Sequence, residues 1–256
     1  MRHAVWGLLA STALGTGLLV GASFADGLFQ GALWAAALGF DMAGPLVIDP
    51  GGWRLEPGHF AERHGLIVII ALGESIVAIG VGAEHGVTTG VVVAACLGMA
   101  IAAALWWLYF DIVALVAERR LSNAAPGRER NTIARDSFSY LHFPMVAGIV
   151  LLALGLKKTL EHVDDPLKVV PAVALLGGLA AYLIAHVVFR YRNVHRFSWE
   201  RLAAAVLLVA LLPVAVEIAA LLTVAIAAVV LAALIAYETW RFAELRDRLR
   251  HQLAHE

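Results

Sequence analysis

Long apolar segments separated by short polar ones are the dominant pattern of this chain. A membrane-spanning helix needs about 20 predominantly apolar residues, and eight segments meet or approach that length. They cover residues 4–24, 28–48, 64–82, 88–110, 138–156, 169–189, 202–217 and 219–237. The pattern predicts an all-α polytopic integral membrane protein, with a bundle of about eight transmembrane helices over residues 1–240 and a helical tail over 241–256.

The last two predicted helices come from a single apolar stretch between Arg201 and Glu238. One helix of that length, rising about 1.5 Å per residue, would be far longer than a bilayer is thick. Pro213 and Glu217 therefore predict a turn inside the stretch. The more polar segments 112–137 and 157–168 are predicted as loops.

Composition agrees with the membrane class. The chain is 61% hydrophobic and 15% charged, with a mean hydropathy of +0.81, whereas about 25% of the residues of a soluble domain are charged. One cysteine, Cys96, excludes a disulfide framework and a thiolate metal cluster. We find no basic patch that would indicate nucleic-acid binding, so the predicted partner is the lipid bilayer.

The basic residues predict the orientation of the chain. If both termini lie in the cytoplasm, every one of the 19 lysines and arginines falls inside except Lys157, Lys158 and Lys168. That distribution obeys the positive-inside rule. One alternative stays open for the first segment, because a charged start, an apolar core and Ser23-Phe24-Ala25 also resemble a cleaved secretory signal.

Glu74 is the most informative single residue, because it lies in the middle of the third apolar segment. An ionised Glu near the midplane of a bilayer costs at least a few kcal/mol, which makes it a functional candidate that needs a partner or a water-filled cavity. A stripe of small residues (Ala71, Ser75, Ala78 and Gly82) lies beside it at helical spacing. We therefore expect Glu74 to face the bundle interior. In a purely structural alternative, the acid only ties helices together.

Other polar side chains converge on the cytoplasmic half of the predicted bundle: Asp41, Asp111, Tyr140, His142 and His186. Carboxylates, imidazoles and phenols at one end of a bundle are typical of a vestibule that handles protons or ions. The alternative is that some of them are interface residues that reach water by extending along the helix.

Three polar residues just before the third span, Glu62, Arg63 and His64, are candidates for a gate or helix entry. His59, Glu62 and His64 lack the spacing of a helical zinc site, so no metal site is predicted. The chain also has no nucleophile elbow and no glycine-rich phosphate loop, so no catalytic residues and no cofactor are predicted.

Three motifs carry a resemblance to a known family: Glu62-Arg63-His64-Gly65-Leu66 continuing to Leu72-Gly73-Glu74-Ser75-Ile76, then Trp106-Trp107-Leu108-Tyr109-Phe110-Asp111, then Tyr140-Leu141-His142-Phe143-Pro144-Met145-Val146-Ala147-Gly148-Ile149. In order and spacing they are similar to the bacterial low-temperature-requirement A (LtrA) family. The resemblance implies a multi-span protein of the bacterial inner membrane, without an established substrate. It points to Glu62, Arg63, Gly73, Glu74, Asp111, Tyr140 and His142.

Two departures from the family pattern change the expectations. His64 stands where members usually have an aromatic residue, which favours a titratable gate at that position. Members usually begin with further spans that carry a Phe-Phe-Asp-Leu-Val-Phe-like motif, so this chain resembles the carboxy-terminal two-thirds of a member. That difference predicts a homo-oligomer or a separate membrane partner that covers the surface of the third or fifth span.

These observations favour a transporter or channel-like protein with a polar pathway. The pathway candidates are Glu74, Asp41, Asp111, His142, Tyr140 and Ser75. Two alternatives stay open: an intramembrane enzyme that acts on lipid-type substrates with Glu74 or His142 as acid or base, and a non-catalytic partner subunit of a membrane complex. The sequence names no substrate.

Overall fold

The computed structural model describes residues 2–47, 54–83 and 86–243, and these ranges are helical, without a β-strand. The predicted all-α class is therefore confirmed. The α-helices are α1 (Arg2–Ala22), α2 (Gly27–Val47), α3 (Pro57–Gly82), α4 (Thr89–Phe110), α5 (Val113–Ser122), α6 (Arg128–Ile133), α7 (Leu141–Glu161), α8 (Val169–Ala172), α9 (Gly178–Val194), α10 (Trp199–Ala210), α11 (Leu212–Ala215) and α12 (Ala220–Arg241). Two π-helices, Ala134–Tyr140 and Val173–Gly177, precede α7 and α9.

Within the described ranges, five helical segments are long and apolar enough to cross a membrane: Pro57–Gly82, Thr89–Ser122, Arg128–Glu161, Val169–Val194 and Ala220–Arg241. They include five of the predicted spans. The first two predicted spans coincide with α1 and α2, which have 21 residues each. Residues 202–217 instead form α10 and α11, of 12 and 4 residues. The predicted count of eight spans is thus only approximate.

Several predicted boundaries are wrong. The segment 112–137 is mostly helical, because α5 and α6 occupy it. The third span begins at Pro57, so Glu62, Arg63 and His64 lie inside α3 and not before it. Lys157 and Lys158 belong to the end of α7. The predicted tail lies mainly outside the described residues.

The predicted turn near Pro213 and Glu217 is confirmed. Pro213 lies at the start of α11, where a missing N–H costs no helical hydrogen bond. The chain then turns at residues 216–219, and α12 begins at Ala220. The Ala220 N–H donates to the Asp165 carbonyl, which fixes this turn against the loop that follows α7.

Pro144 accounts for the first π-helix. Proline has no N–H, and its ring displaces the carbonyl four residues earlier, which is that of Tyr140. After α6 the chain therefore continues in wider π turns, and the α-helical hydrogen-bond pattern resumes only at Leu141.

The chain divides into two compact units. The first contains residues 1–57 and 121–140, and the second contains 58–120 and 141–256. In the first unit α1 packs against α2, and a Cβ at Gly15 would lie 2.8 Å from Oδ1 of Asp41. The second unit holds the large helices α3, α4, α7, α9 and α12.

The core of the second unit is built on the crossing of α7 and α9. A Cβ at Gly148 would lie 2.6 Å from the Gly178 carbonyl oxygen, and one at Gly155 would lie 2.6 Å from Cα of Leu175. Only glycine permits backbones to approach so closely. Around this crossing lie large buried side chains such as Tyr109, Tyr182 and Phe189.

The small-residue stripe of α3 is buried as a whole: Ala71, Ser75, Ala78 and Gly82. At Gly82 a Cβ would meet the Lys157 carbonyl oxygen at 2.7 Å, so the stripe lets α3 approach α7 closely. The stripe is therefore used within the chain.

Candidate functional site

Glu74 does not face the interior of its unit. Its side chain is exposed, although Ala71 and Ala78 beside it are buried. Residues 74 and 78 lie about 40° apart around a helix, so Glu74 sits at the edge of the buried stripe and falls on its outer side. The expectation of an interior orientation is thus wrong. Ser75 is fully buried, and its hydroxyl oxygen has no hydrogen-bond partner among the described residues.

The buried polar groups of the second unit centre on a tyrosine and a histidine. Tyr109 lies on the buried face of α4, together with Leu105 and Leu108. Its hydroxyl lies 2.7 Å from Nε2 of His142, the second residue of α7. Tyr109 is 1% exposed and His142 3% exposed, so the phenol–imidazole pair is shielded from the surroundings.

His64 extends this pair towards α3. Its ring lies edge-on to that of His142, with centroids 5.2 Å apart. His64 Nδ1 donates to the Phe60 carbonyl oxygen at 2.8 Å, because a carbonyl can only accept. In a neutral His64 the proton therefore resides on Nδ1, and Nε2 is an acceptor. The predicted gate residue thus adjoins His142, a predicted pathway residue.

A second buried group lies on α9, α10 and α12. Arg201 makes a two-pronged ion pair with Glu238: Nε donates to Oε1 at 2.7 Å and Nη2 donates to Oε2 at 2.8 Å. Both side chains are only about one-twentieth exposed. The fork of an arginine fits a carboxylate in this geometry, and its guanidinium stays charged in proteins. The pair is therefore a fixed charged element inside the unit.

Arg201 also determines which ring nitrogen of His186 carries the proton. Its Nη1 donates to Nδ1 of His186 at 2.8 Å. Arginine has only donors, so Nδ1 must be the acceptor and the histidine proton must lie on Nε2. That Nε2–H is fully buried and has no hydrogen-bond partner among the residues described here.

The two groups lie side by side. The ring of Tyr109 is edge-on to His186, with centroids 5.9 Å apart. Tyr182, one turn before His186 on α9, has its ring centroid 4.5 Å from that of His186. We call the set of His64, His142, Tyr109, His186, Arg201 and Glu238 the polar network. It joins α3, α4, α7, α9, α10 and α12 at one end of the second unit.

A cavity of about 650 Å³ opens beside Arg201 and Glu238. Apolar walls come from α4, α5 and α9, with aromatic rings of Trp107, Phe189 and Phe242. Polar lining residues are Asp111, Arg190, Asn193, Arg196, Arg201 and Glu238. The size falls within the range of small-molecule pockets, and so does the mixture of apolar walls and a few polar groups.

The remaining predicted site residues do not join the polar network. Asp41 and Tyr140 belong to the first unit, where the Tyr140 hydroxyl donates to the Met42 carbonyl oxygen at 2.6 Å. Glu62 and Arg63 are exposed on α3, and Glu62 lies 3.5 Å from His59 as an exposed pair. In the described ranges, no three His, Cys, Asp or Glu side chains are arranged to hold a metal ion.

Sequence reasoning missed Tyr109, Arg201 and Glu238 as site residues. Tyr109 lies inside the motif that ends at Asp111, and its position at helical spacing from Leu105 marks the buried face of α4. Arg201 and Glu238 lie at the two ends of one apolar stretch, where charged residues are also expected simply because they face the membrane surface. No spacing rule connects side chains 37 residues apart.

The comparison with known families decides the identity of the chain. A family model described as bacterial low temperature requirement A protein (LtrA) matches residues 1–236. The chain belongs to the LtrA family. The matched region of this LtrA chain contains the polar network and the cavity lining except for Glu238 and Phe242, which follow residue 236.

One curated relative is an uncharacterized protein of Rhizobium meliloti (strain 1021). It is 31% identical over 166 residues, which cover 59% of the LtrA chain and 39% of the relative. The chain thus spans about two-fifths of the length of the curated relative it matches. No solved structure matches the chain. Membership and composition establish a membrane protein of the LtrA family and leave the reaction or cargo open.

Proposed function

We propose that the protein is a proton-coupled membrane transporter, in which the cavity binds a solute and the polar network handles the proton. The observation that carries this proposal is the buried hydrogen bond between the Tyr109 hydroxyl and His142 Nε2, in a network that reaches the cavity through Arg201. Histidine is the side chain that changes charge near neutral pH. Two histidines beside a phenol supply groups that can accept and pass a proton.

The buried ion pair of Arg201 and Glu238 also supports separate but coupled sites for the solute and the proton. Arg201 and Glu238 neutralise each other and belong to both the network and the cavity lining. Ligand binding in the cavity would change the field at Arg201, and His186 accepts a hydrogen bond from this same arginine. Solute and proton would therefore influence each other through one guanidinium. Such coupling between two sites is what a coupled transporter requires.

Purified protein in lipid vesicles tests the proposal. Vesicles are loaded with pyranine and a low-molecular-weight cell extract, a pH gradient is imposed, and mass spectrometry identifies solutes that leave. We expect at least one solute to leave faster than from protein-free vesicles, and only with the gradient. If neither solutes nor protons move faster than in protein-free vesicles, the protein is not a proton-coupled transporter.

A matched pair of variants locates the proton path. Tyr109→Phe removes the hydroxyl that contacts His142, and we expect it to abolish gradient-dependent release. Tyr182→Phe removes an equally buried hydroxyl that donates to the Leu105 carbonyl oxygen, outside the network. It should keep the wild-type flux. If Tyr109→Phe also keeps the wild-type flux, the Tyr109–His142 pair is not the proton path.

One observation favours an intramembrane enzyme as a second candidate. Tyr109 and His142 converge, as an acid–base pair must. Both are nearly inaccessible, and neither lines the 650 Å³ cavity, so a substrate in that cavity would not meet them directly. The vesicle assay separates the two functions, because an enzyme would convert a solute and a transporter would move it unchanged.

A further inference from the structure

We propose that the cavity binds an amphipathic organic anion, with a carboxylate or phosphate head against its arginines and an apolar body against its aromatic walls. This inference names a substrate class and so rests on the transporter proposed above. It can nevertheless be tested separately, because equilibrium binding does not depend on flux. The same chemistry could come from a soluble anion or from the head of an anionic lipid.

The arginines provide the first argument. Arg190, Arg196 and Arg201 all line the cavity. Arg190 donates to the Ser198 hydroxyl at 2.8 Å and pairs with Glu200 at 3.3 Å, so its charge is largely compensated. Arg196 is exposed to solvent and makes no hydrogen bond or ion pair with another described residue. A cavity with an uncompensated guanidinium attracts an anion.

The donors of Arg201 provide the second argument. A guanidinium has five N–H groups. Three of them are used on Glu238 and His186. Two donors are left on a side chain that lines the cavity and is held in place by its other bonds. Fixed, desolvated donors of this kind recognise carboxylate and phosphate oxygens strongly.

The walls define the rest of the ligand. Trp107, Phe189 and Phe242 contribute aromatic surface, and Ile112, Val113 and Val116 contribute aliphatic surface. A small inorganic ion would leave this apolar surface against water. An organic body would cover it and remove it from water, which is favourable. Asp111 also lines the cavity, which limits the negative charge that the site accepts and favours a singly charged head.

Binding of three fluorinated probes tests the proposal. The protein is placed in phosphatidylcholine nanodiscs, and 4-fluorobenzoate, 4-fluorobenzyl alcohol and 4-fluorobenzylamine are titrated by ¹⁹F NMR. The probes share a ring and differ in charge. We expect saturable binding of the benzoate, at least about tenfold tighter than that of the other two, since one charge-assisted hydrogen bond accounts for such a factor. Equal binding of all three probes would overturn the proposal.

Two arginine variants provide the matched control. Arg196→Gln removes the uncompensated cavity arginine, and we expect it to weaken benzoate binding about tenfold. Arg192→Gln removes a charge four residues earlier, at the end of α9, that does not line the cavity, and it should bind as the wild type does. If Arg196→Gln keeps the wild-type affinity, the arginines do not form the site.

Nanodiscs that contain phosphatidylglycerol identify the source of the anion. If a lipid head occupies the cavity, benzoate binds the wild type more weakly in these discs, and the difference disappears in Arg196→Gln. If the ligand is soluble, the affinity is the same in both discs. Flux without benzoate binding would refute this inference alone, and benzoate binding without flux would refute only the transporter.

Discussion

Removing one partner of the Arg201–Glu238 pair is expected to destabilise the protein strongly. Glu238→Leu leaves a guanidinium that is 5% exposed without its counter-ion, and an uncompensated buried charge typically costs about 3–5 kcal/mol. Replacing both residues, in Arg201→Met with Glu238→Leu, removes the charge together with its partner. Such double replacements are often neutral, so we expect the double variant to be more stable than Glu238→Leu alone.

A second ion pair of similar length serves as the control. Lys158 Nζ lies 2.6 Å from Glu161, but these side chains are 42% and 15% exposed. Exposed pairs contribute about 0–1 kcal/mol. Comparing the two double-mutant cycles therefore contrasts a buried, two-pronged pair with a partly exposed single contact at nearly the same distance.

The free energy of unfolding can be measured by sodium dodecyl sulfate titration in mixed micelles, followed by circular dichroism. We expect a coupling energy of about 3 kcal/mol or more for Arg201–Glu238 and below about 1 kcal/mol for Lys158–Glu161. Similar coupling energies for the two pairs would refute the argument that burial and two-pronged geometry, and not distance, determine their contribution.

Three further outcomes are expected. Gly148→Ala should lower the free energy of unfolding by about 1–3 kcal/mol because its Cβ meets backbone, whereas Gly80→Ala, with open space, should not destabilise; equal effects would contradict the close crossing. In a cysteine-free background, Asp164→Cys should react with an impermeant maleimide on intact cells and Asn123→Cys only after permeabilisation; the reverse pattern would contradict the orientation predicted from the basic residues. Glu74→Gln should keep wild-type stability and gradient-dependent release, because Glu74 is exposed and lies outside the polar network; lost release would show that the proton path includes Glu74.

The sequence predicted where apolar helices lie better than where helices with polar first turns begin. Apolar length alone located α4 within one residue of its predicted start, because the cost of polar backbone in lipid leaves few alternatives. It placed the start of α3 seven residues too late, since His59, Glu62 and Arg63 make its first turns polar. Hydropathy detects segments that can be buried in lipid, so it does not detect the polar turns of a helix that extends beyond its apolar segment.

The site was only partly predictable for a different reason. His142 and His64 were recognised as polar groups in or near spans, but their partner Tyr109 is 33 residues from His142 in sequence. Glu74 was assigned to the interior from the small residues beside it, and a rotation of about 40° around the helix axis separates the two outcomes. Pattern analysis locates a face of a helix to about that precision, so tertiary structure was needed to assign Glu74.

The close crossing of α7 and α9 constrains how this protein can move. Gly148 of α7 meets Gly178 of α9, and Gly155 of α7 meets Leu175 of the preceding π-helix, and two separated close contacts oppose both sliding and rotation. His142 and His186 are carried by this rigid pair, whereas Arg201 and Glu238 lie on α10 and α12. In a conformational cycle, the two imidazoles would therefore form a stationary frame, and the ion pair would approach or leave His186 with the helices that carry it.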